Sequence, residues 1–262
     1  MSETAQPDRR RWIGLIFISV AVALIIVDST IVNVAIPSVV DELGITSTQV
    51  QWVQESYTLV FASLLLVFGT LADRFGRRRV LLIGVIIFAL ASILAALSSS
   101  GELLIASRLV QGVGGAMILP SSLSIINSTF RGKERAIAFA VWGSTIGGMA
   151  AVGPLLGGWL TTYFSWRWAF GILLPIMALY AAFTFLILPK GKAQQAAAPL
   201  PTAQLLLLTV AVLVVSAGSL AHSAWINLAG IALSLVLMAW LLKREAHSRA
   251  RLLPHGALRR GS

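Results

Sequence analysis

Three charged side chains stand inside long apolar runs of this 262-residue chain: Asp28, Glu55 and Arg108. A charge within a run long enough to cross a bilayer costs about 3 kcal/mol or more unless it is paired or hydrated, so such residues are expected to have work to do. Two chemistries suit two carboxylates and a guanidinium. One is proton exchange: burial disfavours a charged carboxylate while a neighbouring arginine favours it, and the balance lets a ligand or a conformational change decide whether the proton stays. The other is a structural ion pair that ties helices together. Counting from the run ends at about 1.5 Å per residue, Arg108 and Glu55 lie about 9 Å below one membrane surface and Asp28 about 14 Å below it. All three are expected to line one polar cavity, with Arg108 pairing at least one carboxylate. Asn33 and Gln111 share helices with Asp28 and Arg108, and Gln111, three residues after Arg108, faces a similar direction. Either is a candidate for ligand contact, although interhelical hydrogen bonding is the commoner role.

The elements that must position these groups are membrane helices. Of all residues, 57% are hydrophobic and 11% charged, against about 25% charged in ordinary globular domains. Eight apolar runs, approximately 12–37, 49–71, 80–98, 103–126, 136–159, 168–188, 204–221 and 224–242, are each about long enough to cross a bilayer core. Only helices satisfy the backbone there, so the fold class is an all-α polytopic membrane protein. The first run, preceded by Arg9 to Arg11, is too long for a cleaved signal segment and is expected to stay as a span. All but two of the Lys and Arg residues fall on one side: the N-terminus, the segments around Arg74–Arg79 and Arg131–Arg135, Lys190 and Lys192, and the C-terminal tail. Only Arg167 falls on the other side, and Arg108 lies within a span. The positive-inside rule makes the basic side cytoplasmic, with both termini there. The formal net charge of +10 therefore reports topology and contact with anionic lipid. The scattered charges form no nucleic-acid patch, so no such partner is expected. The organisation read from texture is a tail over 1–11, six spans over 12–190, a linker with two more aliphatic spans over 191–242, and a basic tail over 243–262.

Two stretches carry further signals. Gly69 to Arg79 read GTLADRFGRRR, a short charged turn between spans. Gly69 is expected to permit close helix approach and Gly76 a tight turn, while Arg74, Arg77 and Arg78 hold the loop on the cytoplasmic side. Gly143 to Trp159 read GSTIGGMAAVGPLLGGW; small residues allow close helix packing in lipid, and Pro154 removes an intrahelical hydrogen bond and should kink the span. The GVGG at Gly112–Gly115 superficially suggests a dinucleotide loop, but it lies within a span with no strand before it.

Taken in order, these segments resemble the major facilitator superfamily, and specifically the N-terminal half of its 14-helix drug/proton antiporters. Asp28-Ser-Thr-Ile-Val-Asn33-Val-Ala-Ile-Pro37 resembles that family's first-helix motif, and Trp52-x-x-Glu55-x-Tyr57 the start of its second helix. Gly69 to Arg79 resembles its loop between helices 2 and 3. Arg108-x-x-Gln111-Gly112-x-Gly114 resembles the fourth-helix motif linked to proton coupling, and Gly153-Pro154-x-x-Gly157-Gly158 the fifth-helix antiporter motif. The resemblance implies a six-helix bundle with two additional helices and proton-coupled efflux of small amphipathic compounds, cationic ones among them, across the cell membrane. It implies Asp28, Glu55, Arg108, Asn33 and Gln111 as proton or substrate residues, and a gating role for Gly153, Pro154, Gly157 and Gly158. It also implies Asp73 as part of a cytoplasmic latch closing on a second bundle. Protons, a small-molecule substrate and lipid are the implied partners. No cofactor is expected, the proton gradient being the energy source.

Alternating access needs two bundles, and the sequence ends where the second is expected to begin. A truncated or split gene product is one expectation, and pairing with a second six-helix half or with itself is another. A non-transporting partner subunit or a specific metabolite transporter are the rival functions. An enzyme is not expected: there is no cysteine nucleophile, and His222, His247 and His255 lie in loops or the tail. No HExxH, GxSxG or phosphate-binding loop appears, and no metal site is expected.

Overall fold

The computed structural model describes residues 9–187. Within them the chain is helical throughout: α1 (Arg9–Leu43), α2 (Ser47–Phe75), α3 (Arg77–Ala96), α4 (Gly101–Thr129), α5 (Gly132–Tyr163), α6 (Trp168–Gly171) and α7 (Leu173–Ile187). Five of these helices are long and apolar enough to cross a membrane. The sixth expected span is present as two pieces, the short α6 and then α7. The expected spans 204–221 and 224–242, with Lys190, Lys192 and the basic tail, lie outside the described residues.

Helix ends follow local chemistry. Thr46 caps α2 through a reciprocal box, its hydroxyl accepting from the Gln49 backbone N–H while the Gln49 side chain accepts from the Thr46 N–H, which satisfies two donors that the helix start would leave orphaned. Ser100 accepts from the Leu103 N–H at the start of α4. Between α2 and α3 the chain reverses at one residue, Gly76, whose φ of 100° is one that L side chains rarely adopt; the tight turn expected there is present. Pro37, Pro120 and Pro154 lie inside α1, α4 and α5 without ending them. Thus α1 runs on past Pro37, the expected outer limit of the first span, to Leu43. Its last turns pack, Val39 being buried, and this contact outweighs the one lost hydrogen bond.

Packing follows the glycines. α4 lies between α2 and α3, and backbones meet closely on both sides. A Cβ at Gly112 would come within 2.8 Å of the Tyr57 carbonyl oxygen on α2, and one at Gly114 within 2.8 Å of the Gly84 carbonyl oxygen on α3. The GVGG segment is therefore a two-sided packing face. α5 seats on α1 in the same manner, where a Cβ at Gly153 would lie 1.8 Å from Thr30 Oγ1 and one at Gly157 3.2 Å from Val34 Cβ. By contrast, a Cβ at Gly69 would meet Pro120 at 3.6 Å, an ordinary contact, so the close approach expected at Gly69 is not required there. α7 packs on α3 and α1. The main core cluster joins Ile31, Val53, Tyr57, Phe88, Leu104 and Trp166 from α1, α2, α3, α4 and the turn before α6.

Candidate functional site

In the middle of this core sits a closed polar network. Asp28, Gln111 and Ser92 are fully buried and Arg108 is 2% exposed. The Arg108 guanidinium donates through NH1 to Asp28 Oδ2 at 2.5 Å and to Gln111 Oε1 at 2.8 Å, and through Nε to the Val53 carbonyl at 3.3 Å. Gln111 Nε2 donates to the other Asp28 oxygen at 3.0 Å and to Ser92 Oγ at 2.9 Å. Ser92 in turn donates to the Phe88 carbonyl at 2.8 Å. Tyr57 closes the network from α2, with its ring centroid 4.4 Å from the guanidinium carbon, a cation–π contact that strengthens on desolvation.

The 28/108 pairing anticipated from sequence is present, and both carboxylate oxygens of Asp28 are occupied. Gln111 is as buried as Asp28, and its amide joins α1, α3 and α4, so in this conformation it presents nothing to a ligand. Buried ion pairs need such supplementary hydrogen bonds to offset the loss of hydration. Sequence reading missed Ser92. It named Tyr57 only within a motif, and nothing in the composition of α3 flags a serine one helix away.

Glu55 does not join the network. It is exposed, although its depth matches that of Arg108. The reason is azimuth. Val53 and Tyr57, both buried, face α4, and Glu55 lies two residues, about 200°, from each of them. The expectation of one cavity shared by all three charges is corrected accordingly. Glu55 instead neighbours a second polar pair, in which Gln54 Nε2 donates to Asn33 Oδ1 at 3.2 Å between α2 and α1.

The exposed surfaces of the bundle differ in kind. α3 presents Ile83, Ile86, Leu90, Ile93, Leu94 and Leu97, a purely aliphatic face suited to hydrocarbon. α1, α2 and α5 present Asn33, Glu55, Thr58, Ser144, Gly147 and Gly148, together with exposed Leu66, Ile137, Val141, Leu155 and Trp159. A carboxylate cannot face hydrocarbon cheaply, so the surroundings of Glu55 are suited to water or to polar protein.

The remaining candidates are braces and seats. Asp73 Oδ1 accepts from Arg77 Nε at 2.9 Å and from Ser124 Oγ at 3.0 Å, while Arg77 NH1 donates to the Ser124 carbonyl at 2.9 Å. Arg78 donates to the Thr184 carbonyl at 3.0 Å, and Arg74 lies over Phe75. These bonds fasten α2, α3, α4 and α7 at the arginine-rich end, and Asp73 stays half exposed. In α5 the motif divides: Gly153 and Gly157 are buried against α1, whereas Pro154 is exposed and Gly158 has nothing within 4 Å. At the opposite end Glu42 accepts from Trp166 Nε1 at 2.7 Å and pairs with Arg167, which also donates to the Ser98 carbonyl at 3.0 Å. That cluster was not legible beforehand, since Glu42 lies more than 120 residues from its partners. Among the described residues no group of His, Asp or Glu is disposed to hold a metal ion.

Comparison with known proteins matches residues 18–242 to the family model of the Major Facilitator Superfamily. The chain is 44% identical over 187 residues to the puromycin resistance protein pur8 of Streptomyces alboniger, covering 71% of this chain and 37% of that protein. It is 39% identical over 175 residues to the multidrug efflux pump LfrA of Mycolicibacterium smegmatis, covering 66% and 35%. It therefore spans well under half the length of these relatives. Among solved structures, a bacterial homologue of the human lysosomal transporter Spinster, inward-facing and occupied, aligns with a TM-score of 0.64 at 19% identity over 72% of this chain and 46% of that one. Tetrameric PepTSo2 aligns with a TM-score of 0.64 at 16% identity over 92% of this chain and 56% of that one. At such identities the likeness is one of fold.

Proposed function

We propose that this chain, which belongs to the major facilitator superfamily, forms a six-helix half of a proton-coupled exporter of small amphipathic compounds, cationic ones among them, in the cell membrane. The observation that carries this reading is the buried Asp28–Arg108–Gln111 network joining α1 to α4. The drug-resistance and efflux names of its relatives support the substrate class.

The chemistry follows from the bonds. Arg108 and Gln111 favour the charged form of Asp28, and burial opposes it. When Asp28 takes a proton, the ionic attraction between α1 and α4 is lost. Arg108 then keeps Gln111 Oε1, the Val53 carbonyl and the Tyr57 face, all on α4 or α2. Proton uptake thus loosens α1 while leaving α4 held, which ties the protonation state to helix movement. Exposed Glu55 suits recognition of a cationic group, and Asn33 beside it suits a hydrogen-bonding one. By the positive-inside rule the arginine-rich end is cytoplasmic. Asp73, half exposed there, is suited to a latch on a second bundle.

Alternating access needs a second bundle, supplied by further chain, a partner or a second copy. The competing reading is a non-transporting partner subunit. Reconstitution in liposomes under an imposed pH gradient separates the two, with uptake of a fluorescent lipophilic cation as the readout. Cation-dependent proton flux that falls at least about tenfold in Asp28→Asn supports export. Full coupled activity in both Asp28→Asn and Glu55→Gln overturns the proton-carrier assignment, and no flux from the folded chain favours the subunit or a half that works only with a second bundle.

A further inference from the structure

We propose that Gln54, through its hydrogen bond to Asn33, is a positioning residue that clasps α1 to α2 and closes the approach to the buried Asp28 network. The inference rests on the reading of Asp28 as the proton-exchanging group.

Two tightly seated bodies make up the bundle. α5 rides on α1 at Gly153, and α4 is seated on α2 and α3 at Gly112 and Gly114, with backbone approaches too close to admit a Cβ. The seats at Gly112, Gly114, Gly153 and Gly157 do not join α1 to α2 or to α4. Across that joint the inner fastening is Asp28 with Arg108 and Gln111, and between α1 and α2 it is the amide pair Asn33–Gln54 at 3.2 Å. Asn33 lies five residues beyond Asp28 on α1, about 7.5 Å along the axis, and Gln54 is next to Val53, whose carbonyl receives Arg108. The clasp therefore lies about 7.5 Å outward of Asp28 along α1 and about 140° round that helix from it, at the joint between α1 and α2.

Its chemistry suits opening. A neutral amide pair carries no Coulombic attraction and exchanges readily with water or with a ligand's own polar groups. This bond uses Gln54 Nε2 and Asn33 Oδ1. The Asn33 amide N–H groups and the Gln54 carbonyl oxygen are left as a donor site and an acceptor site beside this bond. A ligand bearing both a donor and an acceptor can replace the clasp bond with two of its own, which would part α1 from α2 and expose Asp28. Substrate polarity would be read at this point, one residue away from the charge of Glu55.

The test reads access to Asp28 and does not depend on transport. The full chain in liposomes is treated with a hydrophobic carbodiimide, and the rate of Asp28 labelling is followed by mass spectrometry. Gln54→Leu and Asn33→Leu are expected to raise that rate at least several-fold with thermal stability little changed. The chain has no cysteine, so Asn33→Cys/Gln54→Cys can be bridged with a short bis-methanethiosulfonate reagent. Bridging should suppress labelling, and reductant should restore it. Equal labelling in the wild type, both leucine variants and the bridged pair overturns the clasp, whatever Asp28→Asn does to transport. Should a leucine variant fold poorly, the bridged pair before and after reductant decides alone. If the clasp holds and Asp28→Asn still couples normally, the assignment of the proton to Asp28 fails and the clasp stands.

Discussion

Asp28 is bonded at both carboxylate oxygens by side chains of a single helix, Arg108 and Gln111 of α4. That arrangement ties the carboxylate to the position of α4, and the proposed proton site would answer to it. It also makes the pair interdependent, because removing one partner leaves the other buried and uncompensated. Arg108→Ala is expected to destabilise the protein by about 3–5 kcal/mol, whereas adding Asp28→Asn to it should recover much of that loss. Denaturant unfolding in detergent of both single variants and the double variant checks this. A double variant as unstable as the sum of the singles would deny the coupling. At this scale the sequence was informative about which residues to pair, since charges in apolar runs advertise themselves. It was uninformative about azimuth. Glu55 has the depth of Arg108 but the opposite face of α2, and two residues of helical phase separate it from the buried network.

The helices owe their arrangement to where backbones can touch. Gly112 and Gly114 face opposite neighbours, and Gly153 and Gly157 receive α1. Small residues in membrane helices could be read from composition, but which of them bear contact could not. The GPxxGG motif reads as one unit, yet Gly153 and Gly157 are buried while Pro154 and Gly158 look outward; a helical repeat of 3.6 residues divides any six-residue motif between faces. The same physics predicts opposite outcomes for one substitution. Gly112→Ala places a methyl 2.8 Å from the Tyr57 carbonyl and should cost about 1–3 kcal/mol through forced separation of α2 and α4. Gly147→Ala meets nothing within 4 Å and should be neutral or stabilising by up to about 1 kcal/mol, from helix propensity alone. Thermal unfolding of the two variants side by side distinguishes them, and equal destabilisation would contradict the packing described here. Turn chemistry was the most legible feature of all: Gly76 reverses the chain with the positive φ that its place in GTLADRFGRRR foretold.

Across the described bundle, an aliphatic face on α3 and a face on α1, α2 and α5 that mixes Asn33, Glu55 and small residues with apolar ones give it two unlike sides. The arginine-rich end and the Glu42–Arg167 end give it an axis. The proposed orientation along that axis is checked by single cysteines in this cysteine-free chain. Lys133→Cys, at the arginine-rich end, should react with an impermeant maleimide only after cells are opened, and Ser99→Cys, at the other end, should react in intact cells. The reverse pattern would invert the topology. The sequence disclosed this axis through its basic residues, but the far-end cluster of Glu42, Trp166, Arg167 and Ser98 depends on a tertiary approach that no local pattern encodes. Function at this scale rests on whether the Asp28 proton answers to ligand. The most direct measurement is proton release when a lipophilic cation binds the purified chain in lightly buffered detergent solution, followed with a pH-indicator dye. The wild type is expected to release protons on binding and Asp28→Asn to bind with none released. Binding by the wild type without release, or undiminished release from Asp28→Asn, would contradict the account.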